Sequence, residues 1–159
     1  MQSCAITTYV SNMLSRQPED ARINSLLRTA LLANAIYSAA SGLAALIFAS
    51  GLSGALLTLG AIAGISTAVV LGSIGAGLVA FAIFVGWVAR NPVSRRGLVI
   101  LITVLDTAWV VLAAGLLGLT GQAFTNTGVI VVIATAIPVG LFAVVQMAAL
   151  TSWRSPAAR

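Results

Sequence analysis

Residues 97–117 read GLVILITVLDTAWVVLAAGLL, and this stretch decides the fold. Every residue in it is apolar, small or hydroxyl-bearing except one, Asp106. A run of about 20 such residues is long enough to cross the hydrocarbon of a bilayer as an α-helix. A carboxylate at the centre of a spanning helix costs about 2.5–3.5 kcal/mol on insertion scales. Asp106 is therefore expected to be paired, protonated or turned towards a cavity.

The composition of the whole chain places it in the membrane class. Hydrophobic residues make up 60% of the 159 residues and charged residues 7%, whereas soluble domains carry about 25% charged residues. The chain has no histidine and one cysteine, Cys4, which excludes His-ligated metals, a His general base and an internal disulfide. It contains no catalytic triad, phosphate loop, zinc spacing or nucleotide fingerprint. We therefore expect no enzyme, no catalytic residues, no cofactor and no metal.

The N-terminal region precedes a single predicted membrane domain over residues 18–159. Residues 1–17 place apolar side chains on one helical face, which suits an amphipathic helix on the membrane surface; a frayed polar terminus is the alternative. Pro18, followed by two acidic residues, is typical of a helix start. The first membrane helix is predicted over residues 26–49, and residues 50–54 are predicted to form an uncharged turn.

The second apolar run, residues 55–89, is too long for one untilted crossing and too short for two. Its helix is predicted over residues 60–89, with the start left open, because the helix either tilts or follows an interfacial or broken segment. Small residues recur at every fourth position, which lets the backbone of another helix approach closely, from this chain or another copy. The predicted helix-packing residues are Gly60, Gly64, Ala68, Gly72, Ala76 and Ala80.

Two loops delimit the remaining helices. Residues 90–96 (RNPVSRR) form a densely basic loop, and the third helix is predicted over residues 97–119. A polar, uncharged loop at residues 120–127 precedes the fourth helix, predicted over residues 128–152. Pro138 lies in the middle of this helix, where it should produce a kink unless a neighbouring group binds the carbonyl that it frees.

The distribution of charge predicts the orientation. The eight basic residues are all arginines, and they lie before residue 29, in the 90–96 loop or after residue 153. The loops at 50–54 and 120–127 carry none. The positive-inside rule therefore places both termini and the basic loop in the cytoplasm, in an inner (plasma) membrane crossed four times. The predicted fold class is all-α, a four-transmembrane-helix antiparallel bundle with both termini cytoplasmic.

Polar residues in three of the predicted helices fall at one depth. Asn34, Asp106 and Gln146 lie six, ten and eight residues from the arginines at their helix ends. At about 1.5 Å per residue they share the cytoplasmic leaflet, so their side chains are expected to meet inside the bundle. Ser38 lies one turn from Asn34. Tyr37 also lies one turn from Asn34, and Thr103 and Trp109 each lie one turn from Asp106. The candidate polar cluster comprises Asn34, Tyr37, Thr103, Asp106, Trp109 and Gln146.

This candidate cluster has several interpretations. In the structural one, hydrogen bonds among its members hold three helices together, each contributing about 0.6 kcal/mol in lipid. In the functional one, Asp106 binds a proton or a cation and lines a path, since it is the one carboxylate within the predicted spans. In a third, Asp106 faces a partner protein. Tyr37 and Trp109 would line a pocket for lipid, quinone or pigment, or fill the core.

The layout of four helices on short loops, with Asp106-Thr107-Ala108-Trp109 in the third, resembles uncharacterised small four-helix inner-membrane proteins of bacteria. The resemblance implies the fold and the location and brings no activity. We predict a non-enzymatic integral membrane protein, an accessory or structural subunit that packs in a homo-oligomer or a larger complex within the lipid bilayer. No nucleic-acid partner is expected. The alternative is a small oligomeric transporter or channel in which Asp106 is the proton- or cation-binding group.

Overall fold

The structure, a computed structural model, describes residues 2–152, with side chains described from residue 21 onwards. Five α-helices and a short two-stranded hairpin make up this part of the chain. In chain order the elements are α1 (Gln2–Ile47), α2 (Ala49–Leu56), β1 (Ala61–Ile62), β2 (Ile65–Ser66), α3 (Thr67–Val88), α4 (Arg96–Thr120) and α5 (Asn126–Ser152), with a 3-10 turn at Gly121–Ala123.

Four helices are long and apolar enough to cross a membrane, as predicted. The candidate spans are Ala21–Ile47, Thr67–Val88, Arg96–Ala123 and Asn126–Ser152. Most of their side chains face outwards, and they include Ile36, Ile83 and Leu119, which are 71%, 70% and 88% exposed. So much apolar surface would be costly to hydrate, and it suits contact with lipid instead. The four spans are consistent with a multi-pass membrane protein.

The first helix begins earlier than the sequence predicts. α1 runs without interruption from Gln2 through Pro18 to Ile47, so the predicted helix start at Pro18 is wrong. A proline removes one backbone N–H and one helical hydrogen bond, and the flanking turns continue the helix around it. The side chains of residues 1–17, on which the predicted amphipathic face depends, lie outside the described residues, as do residues 153–159.

The uncharged turn predicted at residues 50–54 is also wrong, because that segment is helical. α1 ends at Ile47, Phe48 departs from helical geometry (φ −105°, ψ 16°), and α2 follows over Ala49–Leu56. The Ser53 hydroxyl donates a hydrogen bond to the Ser50 carbonyl at 2.9 Å. A serine that bonds to its own helix in this way need not form a turn.

The second apolar run is broken, and its helix begins at Thr67 rather than at residue 60. β1 and β2 pair antiparallel around Ala63 and Gly64, whose φ angles are both positive, 51° and 80°. Two successive positive φ angles interrupt any right-handed helix. Ser66 then caps α3 by accepting a hydrogen bond from the backbone of its first turn at 3.4 Å. Gly60 and Gly64 therefore lie outside α3, and the predicted set of six helix-packing residues is wrong at these two positions.

The close crossing of α1 and α3 uses another face of α3. A Cβ placed on Gly75 would lie 2.7 Å from the Gly42 carbonyl oxygen, so the two backbones touch where neither residue has a side chain. Gly72 lies beside α2, where an added Cβ would be 3.9 Å from the Ala49 side chain. Ala68 and Gly72 are half-buried, and Ala76 and Ala80 are exposed. Their packing against another copy stays a prediction.

The apolar core lies towards the arginine-bearing end of the helices. Side chains from α1, α3 and α4 meet there, and Ala149 of α5 joins them. The fully buried members are Leu27, Leu31, Val85, Val88, Ala89, Val99 and Ile102. This core fixes the depth at which the inward-facing polar residues of the same helices come together, about one to two turns further along each helix.

The opposite end is closed by backbone hydrogen bonds between α2 and the α4–α5 connection. Thr125 N–H donates to the Leu56 carbonyl at 3.0 Å, and Thr58 N–H donates to the Ala123 carbonyl at 2.9 Å. Gly128 sits directly against the Leu56 carbonyl, with no room for a side chain. These contacts satisfy backbone groups that the irregular segments would otherwise leave unbonded.

Candidate functional site

Asn34, Asp106 and Gln146, which lie on α1, α4 and α5, meet in the interior of the chain. Asn34 Nδ2 donates a hydrogen bond to Asp106 Oδ2 at 2.6 Å. Gln146 Nε2 donates to the same oxygen at 3.2 Å. One carboxylate oxygen therefore joins three of the four candidate spans. The three residues that the sequence places at one depth are in direct contact.

Two hydroxyl groups complete the hydrogen bonding of the amides. Thr103 Oγ1 lies 2.9 Å from Gln146 Oε1 and 3.0 Å from the Val99 carbonyl oxygen, which compete for its single proton. Ser38 Oγ donates to Asn34 Oδ1 at 3.3 Å. An ionised carboxylate only accepts hydrogen bonds, so both amides turn their N–H groups towards it and their oxygens towards the hydroxyls. The contacts are thus mutually consistent.

These side chains form what we call the polar network, and it is buried. Its members are Asn34, Ser38, Thr103, Asp106 and Gln146, and none is more than 4% exposed. Fully buried aliphatic residues precede the network on α1 and α4; they are Leu27, Leu31, Val99 and Ile102. Water or ions from the arginine-bearing end would have to pass this packed apolar layer, about two helical turns deep on α1.

Among the side chains of residues 21–152, Asp106 has only neutral hydrogen-bond partners. The arginines of the same helices, Arg28 and Arg96, lie six residues from Asn34 and ten residues from Asp106. Within residues 21–152, Asp106 is the one carboxylate, and no three His, Cys, Asp or Glu residues group to hold a metal. The second oxygen, Oδ1, accepts no hydrogen bond from the described residues. The carboxylate is therefore stabilised by two amides on one oxygen alone.

Tyr37 lies beside the polar network and bonds to a different group. Its hydroxyl donates to the Ala134 carbonyl of α5 at 3.4 Å, and its ring meets that of Phe142 edge-on, 6.1 Å between centroids. Ala134 is four residues before Pro138, which has no N–H to offer that carbonyl. Tyr37 therefore binds the carbonyl that Pro138 frees. The offset of four residues from Pro138 is the signal that identifies the freed carbonyl as that of Ala134, and the contact itself supplies the neighbouring group that the sequence requires.

Trp109, the remaining predicted member, is not part of the polar network. It is 36% exposed and forms no hydrogen bond to the network's members. The inward face of α4 continues from Asp106 through Val110 to the buried Ala113, which leaves Trp109 at its edge. Conversely, Ser38 belongs to the network, although it was outside the predicted set. Neither aromatic residue, Tyr37 or Trp109, contacts Asp106 through a hydrogen bond.

An apolar groove lies between α4 and α5, beginning one turn beyond Asp106. Its volume is about 380 Å³, and its lining includes Val110, Ala113, Ile137 and Gly140. No polar side chain lines it, so it suits hydrocarbon rather than a polar ligand. A second pocket of about 790 Å³ lies at the arginine-free end, around Thr58 and residues 117–123.

Fold and site together define a class: a small, mostly helical protein with four candidate membrane spans, three of which are joined by a buried polar network. No protein-family model matches the chain, and no curated protein or solved structure is significantly similar to it. Of the layout predicted from the sequence, the structure shows four apolar helices that are long enough to cross a membrane.

Thr103→Val tests whether the polar network holds helices together. The substitution keeps the side-chain shape and removes the hydroxyl that bonds to Gln146 across two helices. We expect the free energy of unfolding in mild detergent to fall by about 0.6 kcal/mol, and by no more than about 2 kcal/mol. Thr107→Val is the matched control, since the Thr107 hydroxyl bonds within α4 to the Thr103 carbonyl. Equal losses in both variants, measured by circular dichroism during unfolding, would contradict an interhelical role.

Tyr37 and Pro138 should be energetically coupled. In the wild type, Tyr37→Phe leaves the freed Ala134 carbonyl without a donor, and the free energy of unfolding should fall by about 0.5–1.5 kcal/mol. In a Pro138→Ala background the backbone N–H at position 138 bonds to that carbonyl, so the same change should cost little. A double-mutant cycle measures the difference. A coupling energy of zero would show that the hydroxyl does not replace the missing N–H.

Proposed function

We propose that the protein is a multi-pass integral protein of the inner (plasma) membrane. Its role is that of an accessory or structural subunit, in a homo-oligomer or a larger membrane complex, without catalysis of its own. The observation that carries this proposal is the buried polar network, which joins α1, α4 and α5 through Asp106 Oδ2 and whose members are at most 4% exposed. A buried network of this kind stabilises an assembly of helices, and it offers no open cleft around its polar groups.

The charge distribution supports an orientation with both termini and the 90–96 loop in the cytoplasm. The described arginines lie at the start of the first span or in that loop; they are Arg22, Arg28, Arg90, Arg95 and Arg96. Residues 48–66 and 121–125, which connect the other helix ends, carry no charge. Arginine is retained on the cytoplasmic side during insertion, so four crossings return both ends of the chain to that side.

The outer face of α3 supports assembly with a further subunit. Ala76 and Ala80 are exposed there, and small side chains allow a second helix to approach closely. The intrachain crossing of α1 and α3 uses Gly42 and Gly75 instead, so this outer face is available. Either a second copy of the chain or another membrane subunit would fit it.

Enlarging this face should disrupt the assembly. We expect the wild type in mild detergent to appear by native mass spectrometry as a homo-oligomer or with a co-purified subunit. Ala76→Leu combined with Ala80→Leu should release the monomer, because the added side chains separate the helices. Ala148→Leu, at an exposed alanine of α5, is the matched control and should leave the assembly intact. A wild type that is monomeric and without partners would contradict the subunit role.

A second candidate function is proton transport, and the unbonded Oδ1 of Asp106 favours it. No cationic side chain among the described residues bonds to this carboxylate, so a proton would neutralise it. A proton suits the site better than a metal cation. Both amides present N–H groups to the carboxylate, and they would have to rotate away from Ser38 and Thr103 to offer oxygen ligands instead.

Proton flux into proteoliposomes distinguishes the two functions. An accessory subunit should give no flux under an imposed pH gradient or membrane potential, with or without Asp106→Asn. Proton transport requires a flux that Asp106→Asn lowers by about 100-fold or more, because an amide does not exchange a proton at this position. Thr107→Val, on the same helix and outside the network, should retain any flux. A flux that is independent of Asp106 would contradict both functions as stated.

A further inference from the structure

Trp87 and Arg95 form a contact at the end of α3 that is separate from the polar network. The Arg95 guanidinium carbon lies 3.6 Å from the centroid of the Trp87 ring, and the Phe84 ring stacks with Trp87 at 6.4 Å between centroids. Arg95 Nη1 also donates a hydrogen bond to the Trp87 carbonyl. The Asn91 N–H, which would bond to that carbonyl in a continuing helix, bonds to the Val88 carbonyl instead. Arg95 is thereby held against the end of α3.

Within residues 21–152, the held guanidinium has hydrogen-bond donors that no other residue uses. Arginine presents several N–H groups in a planar fork, and the contact with the Trp87 carbonyl occupies one of its nitrogens. A side chain that is already fixed loses little conformational entropy on binding a ligand. The one described carboxylate, Asp106, bonds to Asn34 and Gln146, so it is not the counter-ion of Arg95. A planar fork with free donors matches the oxygens of a phosphate.

The surroundings of Arg95 combine positive charge with exposed apolar surface. Arg90, in the same loop, is exposed. Trp87 is 46% exposed, Val93 is 52% exposed, and Ile83, one turn before Trp87, is 70% exposed. A ligand that bonds to Arg95 and continues over these side chains must carry both an anionic group and hydrocarbon. That combination is found in a phospholipid and not in free phosphate.

We propose that Trp87, Arg95 and Arg90 bind the phosphate headgroup of an anionic phospholipid, with its acyl chains beside Ile83 and Val93. The proposal rests on the membrane insertion proposed above and is independent of the role of Asp106. Arg95 is the fixed ligand of the phosphate, Trp87 holds it at the level of the headgroups, and Arg90 adds a second positive charge. Binding of the headgroup at this site holds the loop between α3 and α4 at the surface of one leaflet.

Quenching of Trp87 fluorescence by brominated lipids tests the site. Trp109→Phe with Trp153→Phe leaves Trp87 as the single tryptophan, and the protein is reconstituted in phosphatidylcholine nanodiscs. Brominated phosphatidylglycerol should reach half-maximal quenching at a mole fraction about fivefold lower than brominated phosphatidylcholine. Equal mole fractions would overturn the proposal. Absence of quenching by both lipids would instead show that Trp87 is outside the bilayer, which contradicts the membrane insertion itself.

Two arginine variants separate a defined site from diffuse attraction. Arg95→Gln should abolish the preference for phosphatidylglycerol, and Arg95→Lys, which keeps the charge without the planar fork, should reduce it. Arg28→Gln removes an exposed arginine of α1 and should leave the preference unchanged. Equal losses in Arg95→Gln and Arg28→Gln would overturn the proposal. Reversal of the quenching by millimolar inorganic phosphate would also overturn it, since it would identify a site for free anions.

Discussion

A carboxylate among apolar helices obtains its stabilisation from the chain alone, and the arrangement of α1, α4 and α5 depends on that requirement. Asp106 Oδ2 accepts one amide from α1 at 2.6 Å and one from α5 at 3.2 Å. Each amide oxygen then needs a donor, which Ser38 and Thr103 supply. Turning any of the three helices by one residue would leave a buried polar group unbonded, at a cost of about 1–3 kcal/mol. The network therefore fixes their mutual rotation, which aliphatic packing alone defines less sharply.

The meeting of Asn34, Asp106 and Gln146 could be predicted because polar residues are rare in these helices and arginines mark the helix ends. Distance from an arginine then gives a common depth. The network member next to Asn34 along α1 was harder to predict, because the residues three and four positions further on both lie about one helical turn away. After Asn34 the network continues at i+4 with Ser38, whereas Tyr37 at i+3 reaches the Ala134 carbonyl. Only the packed helices show which of the two faces inwards.

Hydropathy predicted the four long helices because each of them is apolar over about 20 residues or more. It failed in the short segments between these helices, where few residues contribute to the pattern. Small residues near the end of α1 are compatible with a turn or a helix, and the structure contains α2 there. The hairpin depends on positive φ angles at Ala63 and Gly64, which hydropathy does not report. In α3 small residues are so frequent that more than one face of the helix carries a row of them. Contact with Gly42 selects the one through Gly75, and α1 therefore decides which face packs.

Hydrogen bonding between helices does not by itself require a carboxylate at position 106. An asparagine there could accept both amide N–H groups through its carbonyl oxygen without carrying a charge. A carboxylate in a spanning helix costs about 2.5–3.5 kcal/mol, whereas interhelical hydrogen bonds contribute about 0.6 kcal/mol each, so two of them do not offset the cost. The second oxygen, Oδ1, adds no hydrogen bond from the described residues. The feature that distinguishes Asp106 from an amide is its capacity to bind and release a proton, and the proposed proton transport, unlike the joining of helices, depends on that capacity.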